Sequence, residues 1–452
     1  MSPSSDLSRI FKAYDVRGVV PDELNDDVVR RIGAAFARWA DAPRVAIGRD
    51  ARTSSEDLAA SFAEGATSQG VDVVDLGLAS TDLLYFASGS LDVSATMLTA
   101  SHNPPNYNGL KFCLAGARPV GQDTGLADVR ALAESDLPAA ASRGAIERRD
   151  VLDAYIDHVL TFVDASKMSP LTVVADTANG MGGLVVPAVM ERLPVTLVHL
   201  YPELDGTFPN HPADPIQPEN QRDVKRVVLE RHADVGLAFD GDADRVFLVD
   251  ERADGLSGSD MTALVAEAML ERSPGAAVVY NVICSWAVPD VIREHGGTPI
   301  RTRVGHSFIK QVMAETDAVF GGEHSGHYYF RDNYRADSGL IATVVVLDRL
   351  SSRGVPLSEL VAPVRRYFDS GEINSRVDDQ TGTMKRIAAA YASGRQDRVD
   401  GLTVEFDDWW FNVRPSNTEP LLRLNVEART EARLDEKSAE VLALIRGEGG
   451  AA

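Results

Sequence analysis

The stretch Thr99-Ala100-Ser101-His102-Asn103-Pro104-Pro105-Asn106-Tyr107-Asn108-Gly109 decides how the rest of the chain is read. One apolar run, Val93 to Leu98, precedes it and another, Leu110 to Leu114, follows; this is the pattern of a loop between two strands. The Pro-Pro pair stiffens that loop and the Asn108-Gly109 step is expected to turn it, which leaves one hydroxyl, Ser101, at its tip. No Gly-x-Ser-x-Gly elbow surrounds Ser101, so it is not read as a hydrolase nucleophile. Its neighbours point to another ligand: His102 beside it and Lys111 ten residues on could both face a phosphate.

Working outward, three segments repeat one plan. The first has a strand around Val45 to Ile47, a helix from Ser54 to Gln69, a strand Val71 to Leu76, and then Leu91 to Val93 leading into the Ser101 loop. The second runs from a strand Leu171 to Ala175 through a glycine-rich turn and a helix to Val195 to Leu200. It ends at Phe239-Asp240-Gly241-Asp242-Ala243-Asp244-Arg245. The third begins at Ala277 to Val282 and ends at Gly322-Glu323-His324-Ser325-Gly326-His327. Buried strands alternating with amphipathic helices predict α/β layers with mostly parallel strands, and loops after strand C-termini are where such sheets place ligands. After Leu347 the pattern changes to a small α+β region, with the loop Arg414-Pro415-Ser416-Asn417-Thr418-Glu419-Pro420 between two strands. Domains are expected over 1–147, 148–253, 254–366 and 367–452.

Composition narrows the class. The chain has 452 residues, 44% hydrophobic and 25% charged, which suits several domains of an ordinary globular protein. Its net charge of −22 argues against nucleic-acid or acidic-membrane partners. An anionic substrate would have to be met by locally gathered Arg, Lys and helix N-termini. Two distant cysteines, Cys113 and Cys284, offer neither a disulfide framework nor a zinc pattern. With no signal-like N-terminus and no aliphatic run longer than Ile341 to Leu347, a cytoplasmic chain is expected.

Each loop has its own chemistry. Three carboxylates in five residues, Asp240, Asp242 and Asp244, repel one another unless a cation intervenes, and their oxygens suit hard Mg²⁺. An EF-hand is the competitor, but its sixth position is Arg245 rather than Gly. A haloacid-dehalogenase-type phosphatase would use one Asp as nucleophile, but the usual Thr after the aspartates is absent. Glu323 and Ser325 stand two apart, so in an extended loop they point to one side, where they could bind sugar hydroxyls. His327, whose pKa lies near neutrality, could transfer a proton. Arg414, Ser416, Asn417 and Thr418 form the inventory of a phosphate cradle without Walker spacing. Weaker anion or sugar contacts are expected from Gly305-His306-Ser307 and from Tyr14-Asp15-Val16-Arg17-Gly18.

In this order, the four loops resemble those of the α-D-phosphohexomutase family over nearly the whole chain, in its phosphomannomutase/phosphoglucomutase branch. Phosphoglucosamine mutases, the alternative, usually vary at the position of His324. The resemblance implies three similar mixed α/β domains plus a smaller C-terminal α+β domain around a central cleft. It also implies a phosphorylated Ser101, with Asp240, Asp242 and Asp244 holding Mg²⁺ against the phosphoserine oxygen. Arg17, Lys111 and Arg245 would stabilise the transferring group, and His327 would move the proton. Glu323 and Ser325 would bind sugar hydroxyls, while Arg414, Ser416, Asn417 and Thr418, with Tyr14 and His306, would hold the idle phosphate. The reaction implied is interconversion of mannose 1-phosphate and mannose 6-phosphate, and of glucose phosphates, through hexose 1,6-bisphosphate, by a monomer or weak homodimer. One departure stands out: Ile283 occupies the place where dual-specificity members often carry a lysine, so that contact must be absent or supplied elsewhere, with Arg301 and Arg303 as candidates.

Overall fold

The computed structural model describes residues 6–416 and 421–447. They fall into two compact units, one of Met1–Ser257 with Ser325–Leu360 and one of Gly258–His324 with Val361–Ala452. Residues 254–366, expected as one domain, contribute to both. The reason lies in helix Gly339–Arg353, which is buried along most of its length and packs against helix Leu152–Leu160 and strand Val246–Asp250 of the first unit.

The first unit holds two sheets. In the larger, the strands lie in the order Val16–Val19, Tyr107–Leu114, Ser94–Leu98, Arg44–Arg49, Asp72–Leu78, Ile146–Arg148. The last four are parallel, as the alternation predicts, and Tyr107–Leu114 returns antiparallel to Ser94–Leu98. Helix Asp26–Ala40 starts where Asn25 accepts the Val28 N–H, with Asp26 and Asp27 favourably placed in its first turn. Its apolar face (Val29, Ile32, Phe36) meets Phe62 and Phe112 in the core.

The turn expected at Asn108-Gly109 is not there; both residues lie in the strand. Asn108 is buried and donates to Ser54 Oγ and Ser55 Oγ, each at 2.9 Å. A Cβ on Gly109 would stand 2.3 Å from Val16 O and 2.8 Å from Thr99 O. The glycine is there for close approach of backbones rather than for a turn.

The second sheet runs Val246–Asp250, Val235–Phe239, Leu171–Asp176, Val195–Leu200, parallel except for the first pair. That antiparallel pair is joined by residues 240–245, so the aspartates sit where the chain reverses. In the second unit, Thr298–Thr302, Ala277–Asn281 and Phe320–Gly322 form a parallel set. Phe368–Arg376, Leu421–Ala428, Trp409–Pro415, Leu402–Glu405 and Arg395–Asp397 form an antiparallel sheet. Helices Gln380–Ala390 and Glu431–Arg446 share one apolar core with that sheet. Among the described residues, no helix is long and apolar enough to cross a membrane.

Candidate active site

Strand Ser94–Leu98 is buried along its length and delivers the serine loop. Thr99 Oγ1 accepts the Ser101 N–H at 2.9 Å, and Ser101 itself takes a left-handed φ of 50°. Ser101 Oγ donates to Asp240 Oδ2 at 2.7 Å and accepts from an Arg245 terminal nitrogen at 3.1 Å. His102 Nδ1 is 3.3 Å from the same hydroxyl and accepts an N–H from Arg245. Arg17, on the first strand, donates through Nε to Asp15 at 2.7 Å and reaches Ala100 O at 3.3 Å and the Asn103 side chain. Tyr14 directly precedes Asp15.

The aspartate loop approaches this hydroxyl because of Gly241. A Cβ there would stand 2.5 Å from Ser101 O, so a larger residue would force the two loops apart. Asp240, Asp242 and Asp244 are buried, and each offers an oxygen within 4.8 Å of the others. Lys111 Nζ donates to Asp242 Oδ2 at 2.7 Å and to Asp244 Oδ2 at 2.6 Å. The second oxygens, Asp242 Oδ1 and Asp244 Oδ1, are buried with no hydrogen-bond partner. Orphaned carboxylate oxygens beside a third carboxylate fit a hard divalent cation, so the residues suit the expected ion.

The electrostatics separate the groups. Burial pushes the Asp240 carboxyl up, against the pull of Arg245. Asp242 is also pushed up by burial, but the charge and hydrogen bond of Lys111, with the Thr81 hydroxyl, win and hold it well below the usual carboxylate range. Burial alone would lower the Lys111 ammonium; Asp242 and Asp244 reverse this and raise it. The Arg245 guanidinium, then burial, drives His102 down to about 2. His102 is therefore a neutral ring that accepts from Arg245 through Nδ1. His327 moves the other way: burial opposes its charge, but Asp244 and Asp337 raise it. Its Nδ1 lies 2.9 Å from Asp337 Oδ2.

The remaining expected residues are held as follows. Ser325 belongs to the first unit. In the second, Glu323 is buried and accepts from Asn281 Nδ2 at 3.0 Å and from the Gly305 N–H at 3.3 Å. His306 begins helix His306–Thr316. Arg414 donates to Glu372 at 2.7 Å, and the Ser416 N–H donates to Leu421 O at 2.8 Å. Asn417 and Thr418 lie outside the described residues. Arg301 is committed to Asp397 and to Glu405, at 2.6 Å from the latter, so it is not a spare cation near buried Ile283. The Arg303 guanidinium lies 4.3 Å over the Phe308 ring.

Four successive segments of the chain match the alpha/beta/alpha domains I, II and III and the C-terminal domain of phosphoglucomutase/phosphomannomutase, over residues 8–136, 153–255, 257–367 and 372–444. The chain belongs to the phosphoglucomutase/phosphomannomutase family. A phosphomannomutase of Salmonella montevideo is 42% identical over 448 residues, covering 96% of this chain and 98% of that one. A phosphomannomutase of Escherichia coli K12 is 40% identical, covering 97% and 99%. The crystal structure of a phosphoglucomutase/phosphomannomutase family protein from Burkholderia thailandensis matches with a TM-score of 0.89 at 32% identity, covering 98% of both chains.

For a phosphoglucomutase/phosphomannomutase, the first unit also supplies groups that the sequence motifs did not reveal. Thr81 donates its hydroxyl to Asp242 at 2.6 Å and its N–H to Asp242 O at 3.0 Å. Asp337 orients His327, and Asp82, one residue from Thr81, accepts the Ser338 hydroxyl at 2.7 Å. They stand in polar stretches with no distinctive motif, and their partners lie between 10 and 256 positions away.

Proposed function

We propose that this enzyme interconverts mannose 1-phosphate and mannose 6-phosphate, and glucose phosphates as well, by way of phospho-Ser101 and a hexose 1,6-bisphosphate. The observation that carries this reading is the Ser101 hydroxyl held between a carboxylate of the aspartate cluster and the Arg245 guanidinium. Asp240, Asp242 and Asp244 would hold Mg²⁺, which supplies Lewis-acid neutralisation of phosphoryl charge when bound.

The chain's own residues account for the rest. The free hydroxyl of a hexose phosphate attacks the phosphorus of phospho-Ser101 and gives its proton to His327. The P–O bond to Ser101 breaks, and its electron pair stays on Oγ, where Arg245 meets the charge from 3.1 Å. After the bisphosphate has turned over, Oγ attacks the other phosphorus and His327 returns its proton to the released sugar oxygen. Phosphoryl transfer has little covalent help to offer the protein, so positioning and charge neutralisation by Arg17, Lys111 and Arg245 supply most of the acceleration. Glu323 and Ser325 are assigned to the sugar hydroxyls. Arg414, Ser416, Asn417 and Thr418, with Tyr14 and His306, are assigned to the idle phosphate. The two cysteines are free and buried, in keeping with work in the cytoplasm.

A coupled assay with mannose and glucose 1-phosphates, run with the intact mass of the same sample, tests the reading. Ser101→Ala should abolish turnover and the mass increase of about 80 Da that one phosphoryl group brings. Full activity in that variant would end the phosphoserine mechanism. Stoichiometric release of inorganic phosphate would identify a phosphatase instead, and preference for an amino-sugar phosphate would identify a phosphoglucosamine mutase.

A further inference from the structure

Arg52 has no part in the chemistry described so far, yet its wholly buried side chain lies directly under the serine loop. Its Nε stands 3.2 Å from Asp50 Oδ2, and Asp50 is itself held by the Ser55 hydroxyl at 2.5 Å and the Arg52 N–H at 3.0 Å. The two terminal nitrogens carry four N–H groups, and the structure gives each nitrogen two backbone carbonyls. One donates to Pro104 O at 2.7 Å and Tyr107 O at 2.9 Å. The other donates to Ser101 O at 2.8 Å and Asn103 O at 2.7 Å.

Three of those carbonyls belong to the serine loop, and the fourth, Tyr107 O, to the first residue of the strand that leaves it. Pro104 and Pro105 lack N–H groups, and the backbone bonds within the loop are Thr99 N to Gly109 O at its base, Asn103 N to Ala100 O and Tyr107 N to Pro104 O, so the Ser101 and Asn103 carbonyls look to Arg52 for donors. Ser101 is also held at a positive φ that an unrestrained L-residue seldom adopts. Over the guanidinium lies the Phe208 ring, 5.1 Å away, on a segment whose Gly206 N–H donates to Ala51 O at 3.2 Å. The ring covers the cation and shares none of its four bonds to carbonyls.

We propose that Arg52 is the positioning residue of this enzyme: its planar fork sets the backbone of the Ser101 loop and thereby the line of approach of Oγ. The inference rests on the phosphoserine reading above. A planar fork with fixed N–H directions can serve four carbonyls at once, whereas a lysine offers three donors from a single point and cannot reproduce the pattern.

The test compares Arg52→Lys, Arg52→Ala and Phe208→Ala with the wild type, with kcat expressed per phosphorylated Ser101 as counted by intact mass. Both Arg52 variants should lose kcat about 100-fold, the scale of a loop misplaced by an ångström. KM for the hexose phosphate should stay within about twofold, because ground-state binding is untouched. Guanidinium at sub-denaturing concentration should restore part of the lost kcat in Arg52→Ala and none in Arg52→Lys, where the ammonium fills the space. Phe208→Ala keeps the four bonds and should keep its kcat. Amides of residues 99–109 should exchange with deuterium faster in Arg52→Ala than in the wild type, a readout independent of turnover. Unchanged kcat per phosphorylated site, an equal loss in Phe208→Ala, or unchanged exchange in the loop would each overturn the proposal. If the wild type itself forms no phosphoserine, the mutase reading fails and the exchange measurement alone decides the role of Arg52.

Discussion

Single hydrogen bonds tune the reactive groups of the first unit. Thr81 gives its hydroxyl to Asp242 at 2.6 Å, so Thr81→Val keeps the shape and removes the donor. Support of this kind behind a metal-binding carboxylate is worth about 10- to 100-fold, so metal affinity and kcat should fall together by about that factor in a metal titration of the rate. Asp242→Asn should lower both further, since it removes the charge. His327→Ala should cost about 100-fold or more in kcat, the usual scale of general acid–base help, with Asp337→Asn intermediate because the ring loses only its orientation. The sequence disclosed Ser101, the aspartates, Arg245 and His327 because each lies in a short contiguous string whose chemistry is unusual. It did not disclose Thr81, Asp337 or Arg52. Thr81 and Arg52 matter through partners far along the chain, and Asp337 through a turn that brings it back to His327; none of these contacts leaves a local pattern.

Local pattern does record elements, and it also misleads there in an instructive way. Asn-Gly is a strong turn signal, yet Asn108 and Gly109 are strand residues because buried hydroxyls occupy the asparagine and two carbonyls crowd the glycine. Gly109→Ala should therefore destabilise the first unit by about 1–3 kcal/mol, as overpacking does, in chemical denaturation. In the second unit, Glu427 on strand Leu421–Ala428 accepts from the Trp286 N–H at 2.9 Å and the Trp410 indole at 2.8 Å. Burial nevertheless raises its carboxyl from 4.5 to about 7. The folded unit thus binds this proton more tightly than the unfolded chain does. The stability that results is complete below pH 4.5 and is lost as pH rises through about 7. Melting of the second unit should fall over that window, and Glu427→Gln should flatten the dependence.

Across the whole molecule, metal binding should read out as stability: free Mg²⁺ at about 100 times its Kd should stabilise the unit carrying the aspartates by about 2.7 kcal/mol, measured by calorimetry. The alternation of strands and helices announced α/β layers and the final α+β region, because burial imposes its period on the sequence. The assignment of residues 325–360 to the first unit left no such trace, since it depends on which surface helix Gly339–Arg353 covers. That assignment bears on synthesis. A nascent chain released at residue 257 would lack His327, Asp337 and the Ser338 hydroxyl that Asp82 binds. The ribosome must therefore have translated well into the second unit before the first can close, and the early portion has to wait, incomplete, for a segment delivered late.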